Sequence, residues 1–312
     1  MSHQPTPTNQ VYQNHVPLRY YGYPLARYFA DRFTYLKEEE WIARIRAGAI
    51  TVNGGTAEPE YVLKEHDHIV ARMGTVLEPP ANRELTIIYE DAQIRVFNKS
   101  APIPVHPSGR YFKNSMTEML KEIYPNEIPR PVQRLDATTT GTLVFARTRK
   151  AAAFLMSEFA ENRVVKEYLA LVEGKPRENK FTISAPIGKI KGSARGIGEH
   201  ATNPKPATTE VEWLSTIGGN SLLKVMPRSG RTNQIRVHLA SVGLPVINDA
   251  VYGGPRQEPD GERIRAHPET SQIFGLHAHR LSFLCLEKHL EITATWPSHF
   301  QPFMDPRSSY VA

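Results

Sequence analysis

Apolar residues along the first quarter of the chain recur with a helical period and then alternate. Leu25 and Phe29 lie four residues apart, as do Trp41 and Ile45, and both spacings predict an amphipathic helix. An alternating stretch follows and runs into the Asn-Gly pair at 53–54, which is typical of a tight turn between two strands. The pattern predicts two helices followed by strands.

From Leu85 onward, strand patterns dominate. Strand patterns cover residues 85–89, 94–98, 141–146, 164–172 and 221–226, whereas helical patterns cover residues 116–123, 154–159 and 235–242. These elements are interspersed without the regular strand–helix–strand rhythm of a doubly wound parallel sheet. The fold is therefore predicted to be α+β, with a mainly antiparallel mixed sheet.

Breaks in the pattern divide the chain. Residues before Val16 are rich in Gln, Asn, Thr and Pro, and the segment 75–84 holds two prolines with little periodicity. The predicted organisation is a flexible tail at 1–15, a small domain at 16–74, a linker at 75–84, a large domain at 85–300 and a C-terminal tail at 301–312. A polar stretch from Pro255 to Thr270 predicts a mobile loop.

Composition places the chain among globular proteins with a moderate positive charge. Hydrophobic residues make up 40% of the 312, and 38 Lys and Arg exceed 32 Asp and Glu, giving +6. The excess suits a polyanion-binding protein without requiring one. The single Cys285 cannot form an internal disulfide and indicates a reducing compartment. No stretch approaches about 18 apolar residues and no signal peptide is visible, so we expect a cytoplasmic protein without membrane contact. A monomer is the default expectation, and the sequence leaves the oligomeric state open.

Two segments in the predicted large domain place polar side chains next to strands. In Arg134–Gly141, Asp136 is followed by three hydroxyl residues and a glycine, a composition that can fix a tight loop at the edge of a sheet. In the strand 166–170, Lys166 and Tyr168 share one face. Taken alone, each segment also has a purely structural explanation, as a turn aspartate or as a cross-strand tyrosine.

A third segment, Arg228–His238, holds three arginines within nine residues at a junction between strand, loop and helix. Such a junction offers helix N-terminal N–H groups and guanidinium groups to a phosphate or a carboxylate. Arg236 follows Ile235 of the apolar helix face, so its stem is expected to be partly packed. A partly buried arginine requires a carboxylate partner.

Several other kinds of site are absent from the sequence. The arginine-rich segment lacks the Gly-Lys-Ser/Thr of a P-loop. His277 and His279 have no neighbouring cysteine or HExxH pattern, which argues against zinc. A Gly-x-Ser-x-Gly elbow, which would indicate a hydrolase, is also missing. No metal site is therefore expected from these residues.

Together, the three segments resemble the RluA-type pseudouridine synthases. That family carries an Arg-Leu-Asp-x-x-Thr-Ser-Gly motif, a Lys-x-Tyr-x-Ala strand and a Gly-Arg-Thr-His-Gln-Ile-Arg-Val-His segment, which correspond here to 134–141, 166–170 and 230–238. Further matching segments are Phe97–Lys99, Val105–Pro107, Pro245–Asp249, Tyr252–Gly254 and Leu276–Leu281. Positions that depart from the family pattern are Ser100, Gln133, Thr140, Asn233 and Asn248.

The resemblance implies an enzyme that converts uridine within a folded RNA to pseudouridine, by chemistry without a metal or a cofactor. Asp136 would be the covalent catalyst, Arg236 would pair with it, and Tyr168 would stack on the flipped uracil. Residues expected to bind the substrate are His106, Arg134, Leu135, Thr139, Lys166, Arg231, Gln234 and Ile235. The segment 105–115 resembles the branch of the family that modifies the tRNA anticodon loop, so tRNA is the first expected substrate and large-subunit rRNA the second.

The helix–helix–strand pattern over 16–74 resembles the S4 RNA-binding module, which contacts RNA phosphates through the positive faces of its helices. The residues expected to do so are Arg27, Arg32, Arg44 and Arg46. Two other functions remain open: a non-catalytic RNA-binding or assembly factor on the same fold, and an unrelated phosphate-binding enzyme that uses the arginine-rich segment.

Overall fold

The computed structural model describes residues 2–3, 8–33, 35–190, 194–253 and 274–304, so the mobile loop predicted at 255–270 lies outside the described residues. The chain separates into two compact units. The larger unit comprises Met1–His3, Ala81–His106 and Ser115–Ala312, and the smaller unit comprises Gln4–Pro80 and Pro107–Asn114.

The secondary structure is mostly β. In chain order the strands are β1 Ser2–His3, β2 Thr8–His15, β3 Ile50–Val52, β4 Gly55–Thr56, β5 His68–Val76, β6 Ala81–Asn82, β7 Leu85–Glu90, β8 Ile94–Lys99, β9 Arg130–Pro131, β10 Thr140–Ala146, β11 Val165–Glu173, β12 Lys180–Ser184, β13 Ile187–Lys189, β14 Arg195–Gly196, β15 Thr202–Lys205, β16 Thr208–Ile217, β17 Asn220–Pro227, β18 Leu276–Cys285 and β19 Lys288–Thr293. The helices are α1 Leu25–Arg32, α2 Glu38–Arg46, α3 Met116–Ile123, α4 Arg149–Ala160 and α5 Gln234–Ser241, with 3-10 turns at Leu18–Tyr20 and Ser298–Phe303.

The smaller unit contains both predicted helices beside a four-stranded antiparallel sheet in the order β2-β5-β3-β4. Its core includes Tyr28, Phe29 and Trp41, which are almost completely buried. Asn53 and Gly54 have φ of 51° and 82°, the left-handed conformation that joins β3 to β4 in a tight turn. The predicted helix–helix–strand order is confirmed.

The prediction of a flexible tail at 1–15 is wrong for the residues that form β2. Each residue from Thr8 to His15 is paired with a residue of β5. Backbone hydrogen bonds to a neighbouring strand order a segment whatever its side chains are, and an edge strand has little need of apolar residues. The polar composition therefore concealed a strand.

The predicted linker at 75–84 is also largely ordered, because β5 extends through its first residues and β6 lies near its end. Glu78, only 3% exposed, accepts hydrogen bonds from the backbone N–H groups of Phe112, Lys113 and Asn114 at 2.7–2.9 Å. This carboxylate binds the segment 107–114 to the smaller unit. The predicted domain at 85–300 is thus interrupted at that segment.

The larger unit is built on a sheet in the order β12-β16-β17-β11-β18-β10-β8-β7, with β19 beside β18 and β9 beside β10. All pairs among these described strands are antiparallel except β10 with β18. Helices α4 and α5 pack on the sheet through Leu155 and Leu239. The predicted α+β class with a mainly antiparallel mixed sheet is confirmed.

The larger unit continues past its predicted end at residue 300. Phe300 is completely buried and Met304 is 6% exposed, and both pack against Leu169 and Leu171 of β11. The predicted C-terminal tail therefore begins with packed residues, while residues 305–312 lie outside those described. None of the described helices has the length and apolarity needed to cross a bilayer.

Candidate active site

A cavity of about 540 Å³ opens on the larger unit, a size usual for a small-ligand pocket. It lies among the loop before β10, the middle of β11, the loop after β17 and the beginning of α5. All eleven residues predicted for catalysis or substrate binding line it: His106, Arg134, Leu135, Asp136, Thr139, Lys166, Tyr168, Arg231, Gln234, Ile235 and Arg236. Side chains separated by up to 130 positions in the sequence therefore line one cavity.

The charged centre of the cavity is an arginine between two carboxylates. Asp136 Oδ2 accepts a hydrogen bond from Arg236 Nη1 at 2.7 Å. On the opposite edge of the guanidinium, Asp249 accepts bonds from Nε at 2.7 Å and from Nη2 at 2.8 Å. Burial alone would lower the pKa of Arg236, but the two carboxylates outweigh it and raise the pKa. The sequence-based expectation that Arg236 has a carboxylate partner is met by two.

The loop that carries Asp136 is fixed by a buried lysine. Lys99, at the end of β8, donates to the carbonyl oxygens of Ser100, Ala137 and Thr139 at 2.9, 3.1 and 2.7 Å. Burial lowers the pKa of Lys99 to about 7, against the opposing charge of Asp136. Three carbonyl acceptors need three N–H donors, which the ammonium form supplies.

A glycine allows the strand after this loop to approach its neighbour. Gly141 has φ of 110°, and an added Cβ would overlap the backbone of Ala278. The contact is the only parallel pairing among the described strands of the main sheet, between β10 and β18. Beside it, Thr140 Oγ1 and the buried His277 Nδ1 lie 2.8 Å apart. The glycine of the motif is therefore required by packing.

The loop from Ser229 to Asn233 is shaped by Gln234. The Gln234 carbonyl accepts from Ser229 Oγ at 2.7 Å and from Arg231 N at 3.0 Å. Its amide nitrogen donates to Thr208 O and Thr209 Oγ1 at 2.9 and 3.0 Å. All four hydrogen-bonding positions of the amide are thus used inside the protein. The amide of Gln234 therefore braces the loop, and its predicted contact with substrate stays a prediction.

Asn233 ends this loop in the left-handed conformation, with φ of 58°, which asparagine tolerates well. Its Oδ1 accepts from Arg236 Nη1 at 3.2 Å, and its Nδ2 donates to Tyr252 OH at 3.0 Å. The Tyr252 ring centroid lies 5.0 Å from the Arg236 guanidinium carbon. Asn233, which departs from the family pattern, therefore supports the same arginine.

The rest of the cavity wall combines apolar and weakly satisfied polar groups. Leu135 and Ile235 are 8% and 6% exposed and line the cavity. Burial, and then the charge of Asp136, raise the pKa of Tyr168 to about 12, so its phenol stays protonated at neutral pH. Lys166 donates to Ser229 O at 3.2 Å, and burial lowers its pKa. An ammonium with one such bond retains donors for an anionic substrate group.

The polar rim of the cavity includes Arg134, which is exposed, and His106. Partial burial, and then the charge of Arg134, lower the pKa of His106. Among the described residues, no group of three or more metal-binding side chains comes together.

Sequence reasoning missed other residues of the cavity and its support. Met156 and Phe159 of α4 form an apolar part of the rim, although only the helix itself was predicted. Asp249 lay in a matching segment but received no role, because nothing in its spacing links it to Arg236. Lys99 was likewise part of a matching segment without a role.

The four arginines predicted to bind RNA in the smaller unit fall into two groups. Arg27 and Arg46 are exposed. Arg44 donates to Met73 O at 3.2 Å, and the guanidinium carbon of Arg32 lies 5.6–5.7 Å from three aromatic ring centroids. Two of the four side chains therefore hold their own unit together as well.

Known proteins match the part of the chain that carries most of these residues. Residues 93–241 match the family model described as RNA pseudouridylate synthase. An uncharacterized RNA pseudouridine synthase of Synechocystis is 30% identical over 86% of this chain and 92% of its own length. The mitochondrial tRNA pseudouridine(32) synthase of Saccharomyces cerevisiae is 31% identical over 79% of this chain, which spans only 54% of that relative.

A solved structure agrees with these relatives. Human RNA pseudouridylate synthase domain containing 1 superposes with a TM-score of 0.58 and 29% identity, over 73% of this chain and 89% of that one. Human RNA pseudouridylate synthase domain containing 4, at 24% identity and a TM-score of 0.55, shares the fold. The chain belongs to the RNA pseudouridine synthase family, whose members are isomerases that act on uridine within RNA.

Proposed function

We propose that this protein isomerises a uridine in the anticodon loop of tRNA, with Asp136 as the covalent catalyst. The observation that carries the proposal is the Asp136 carboxylate itself, which faces the cavity with 38% of its side chain exposed while Arg236 holds one oxygen at 2.7 Å. A carboxylate that is oriented and accessible is what either nucleophilic attack requires.

The reaction breaks the bond between C1′ of the sugar and N1 of the base, turns the base, and joins C5 to C1′. The Asp136 carboxylate attacks either C1′, displacing N1 with its electron pair, or C6 of the ring. In both routes the C5 proton is lost at the end and N1 gains a proton, so that substrate and product are isomers. Tyr168 lines the same cavity and stacks on the uracil. Its phenol is protonated at neutral pH, so it assists loss of the C5 proton by hydrogen bonding while the proton itself passes to solvent.

The target atoms are not accessible in a stacked helix, so the nucleotide must turn out of the RNA into the cavity. Leu135 and Ile235 give this cavity apolar walls that suit a nucleobase. Arg134, exposed at the rim, fills the space that the flipped nucleotide leaves. Lys166 and Arg231 contact the phosphates on either side.

Two observations support tRNA as the substrate. The Saccharomyces cerevisiae relative is named as a tRNA pseudouridine(32) synthase. The segment 105–115 resembles the branch of the family with anticodon-loop substrates. The smaller unit adds phosphate contacts through the exposed Arg27 and Arg46, as an S4-like module would.

The catalytic part of the proposal is tested with Asp136→Asn, which keeps the shape of the side chain and removes its charge. We expect release of tritium from RNA labelled at uridine C5 to fall by at least about 1000-fold. RNA affinity should stay within about threefold of the parent protein, because phosphate contacts supply most of it. Near-normal turnover by this variant would show that Asp136 is not the nucleophile.

The substrate is tested by mapping pseudouridine in RNA from cells that lack the gene. Loss of pseudouridine from the tRNA anticodon loop, restored by the parent protein and not by Asp136→Asn, is the expected result. Loss confined to large-subunit rRNA would replace the tRNA assignment. Unchanged RNA in both classes, with no tritium release in vitro, would favour a non-catalytic RNA-binding factor.

A further inference from the structure

Asp249 is the most completely enclosed carboxylate near the cavity, with no exposed side-chain surface. Its two oxygens take the Nε and Nη2 donors of Arg236 at 2.7 and 2.8 Å. Oδ1 also accepts the backbone N–H groups of Val251 and Tyr252 at 2.9 and 3.1 Å. A buried carboxylate with four such bonds is rigidly placed.

This arrangement decides which edge of the guanidinium meets Asp136. A free arginine prefers to engage a carboxylate with two parallel hydrogen bonds, one to each oxygen. Asp249 uses the edge formed by Nε and Nη2, and Asn233 Oδ1 accepts from Nη1. With these donors taken, Arg236 gives Asp136 a single bond, from Nη1 to Oδ2. No hydrogen bond from the described residues reaches Asp136 Oδ1.

We propose that Asp249 is a positioning residue for catalysis: it occupies the fork of Arg236, so that Arg236 orients Asp136 through one oxygen and leaves the other free to attack. The inference rests on the proposed role of Asp136 as nucleophile. It assigns to Asp249 no contact with the RNA, since Asp249 is fully buried.

Charge supports the same assignment. Arg236 contributes one positive charge between two carboxylates. Paired with Asp136 alone, the guanidinium would neutralise the nucleophile and hold both of its oxygens. Paired also with Asp249, it fixes the direction of Asp136 through a single oxygen. The Tyr252 ring and Asn233 Oδ1 hold the guanidinium in this orientation.

The test compares Asp249→Asn with a matched control, Glu127→Gln. Glu127 is one of two carboxylates on another buried arginine, Arg95, outside the cavity. With unmodified tRNA carrying tritium at uridine C5, we expect Asp249→Asn to lower kcat by about 30- to 100-fold. KM and RNA affinity should change by less than about twofold, because the RNA contacts are untouched. Glu127→Gln should leave kcat and KM unchanged.

A second comparison separates positioning from general support of the fold. In an Arg236→Lys background, where the fork is already lost, Asp249→Asn should lower kcat by less than about threefold more. Multiplicative losses would mean that Asp249 acts independently of Arg236 and would overturn the inference. A raised KM at unchanged kcat, or wild-type kcat in a folded Asp249→Asn, would overturn it as well.

Asp249→Glu covers the case in which the asparagine variant does not fold. It keeps the buried charge but moves the carboxylate along the guanidinium, and we expect kcat to fall about tenfold at unchanged KM. Unchanged kcat would overturn the inference. Asp136→Asn is assayed in parallel: if it is active, the proposed nucleophile fails, whereas an inactive Asp136→Asn beside a wild-type Asp249→Asn removes only the present inference.

Discussion

Two buried arginines of the larger unit, Arg236 and Arg95, have nearly the same surroundings. Each lies between two carboxylates, Asp136 and Asp249 for Arg236 and Glu90 and Glu127 for Arg95, at 2.7–3.1 Å. Each also lies over a tyrosine ring, with its guanidinium carbon 5.0 Å from the Tyr252 centroid and 3.7 Å from the Tyr124 centroid, respectively. Local geometry alone does not separate them.

The two groups differ in charge balance. Beside Arg95, a second arginine, Arg147, pairs with Glu90 at 3.1 Å and with Glu127 at 2.9 Å. Two cations and two anions close a ring, and the paired arginines lower the pKa of both glutamates against their partial burial. The Arg236 group has one guanidinium for two carboxylates, and one of these, Asp136, opens into the cavity.

The comparison teaches that a functional arginine–carboxylate group is recognised by an unpaired carboxylate oxygen that faces a cavity. In the Arg95 group both arginines pair with both glutamates, as expected of a stabilising network, although Arg95 Nε is buried without a hydrogen-bond partner among the described residues. The Arg236 group leaves a carboxylate oxygen toward a cavity of about 540 Å³. Structural ion pairs also shift pKa values, so a shift alone does not mark a catalytic site.

The largest effect is expected when the same substitution is made in each of the two groups, Arg236→Lys in one protein and Arg95→Lys in another. Lysine is a point charge and cannot hold two carboxylates in one plane. Arg236→Lys should lower kcat by about 100- to 1000-fold with little loss of thermal stability. Arg95→Lys should lower the melting temperature by several degrees, roughly the effect of 1–2 kcal/mol, with kcat unchanged. Both are read from tritium release and thermal unfolding, and equal behaviour of the two variants would abolish the distinction.

Much of the contrast between the Arg236 and Arg95 groups could be predicted from the sequence. What could not be predicted has a physical reason. The arginine-rich segment predicted a carboxylate partner for Arg236, and the family resemblance implied that this partner is Asp136. The structure joins the two at 2.7 Å. Asp249 received no role, because the turn that points it at Arg236 has no periodicity to reveal it. The bracing role of Gln234 was not predicted, because sequence does not show that an amide is saturated by its own loop.

The same limit applies to the fold. Strands and helices with clear periodicity, such as α3 at Met116–Ile123, were predicted almost to the residue. β2 was missed, since a polar edge strand is defined by its partner and not by its own side chains. The assignment of 107–114 to the smaller unit depends on Glu78, which binds backbone groups more than 30 residues away.

An intermediate effect is expected from Lys99→Met. This substitution tests whether Lys99, the second cation near Asp136, supports catalysis through its charge or by holding the Asp136 loop in place. Methionine fills similar space but leaves the carbonyls of Ala137 and Thr139 without their donor. We expect the free energy of unfolding to fall by about 2 kcal/mol and kcat by about tenfold, because the Asp136 loop loosens.

The matched control is Lys121→Met, whose lysine is 56% exposed and pairs with Glu118 on the surface of α3. It should change neither quantity measurably. Denaturant unfolding and tritium release give the two readouts. If Lys99→Met lowered kcat without lowering stability, the lysine would act on Asp136 by charge, and the Arg236 group would have to be counted as balanced.

The smallest effect is expected from Glu90→Gln, which opens the closed ring at a partly exposed position. The pKa of Glu90 is held below its ordinary value of 4.5, first by the hydrogen bond from Arg95. The stability that Glu90 contributes is therefore present above pH 4.5 and is lost as the pH falls toward its folded-state pKa. At pH 7 the variant should be less stable by about 0.5–1 kcal/mol, and the two proteins should converge in acid.

This convergence is the sharper half of the test, because a packing defect would not depend on pH. Unfolding free energies of the two proteins, measured from pH 7 to pH 3.5, give the difference directly. A constant difference would mean that Glu90 stabilises Arg95 by contact and not by charge. The Arg95 group would then not be held together by balanced charges. It could no longer serve as the balanced reference against which the charges of the Arg236 group are compared.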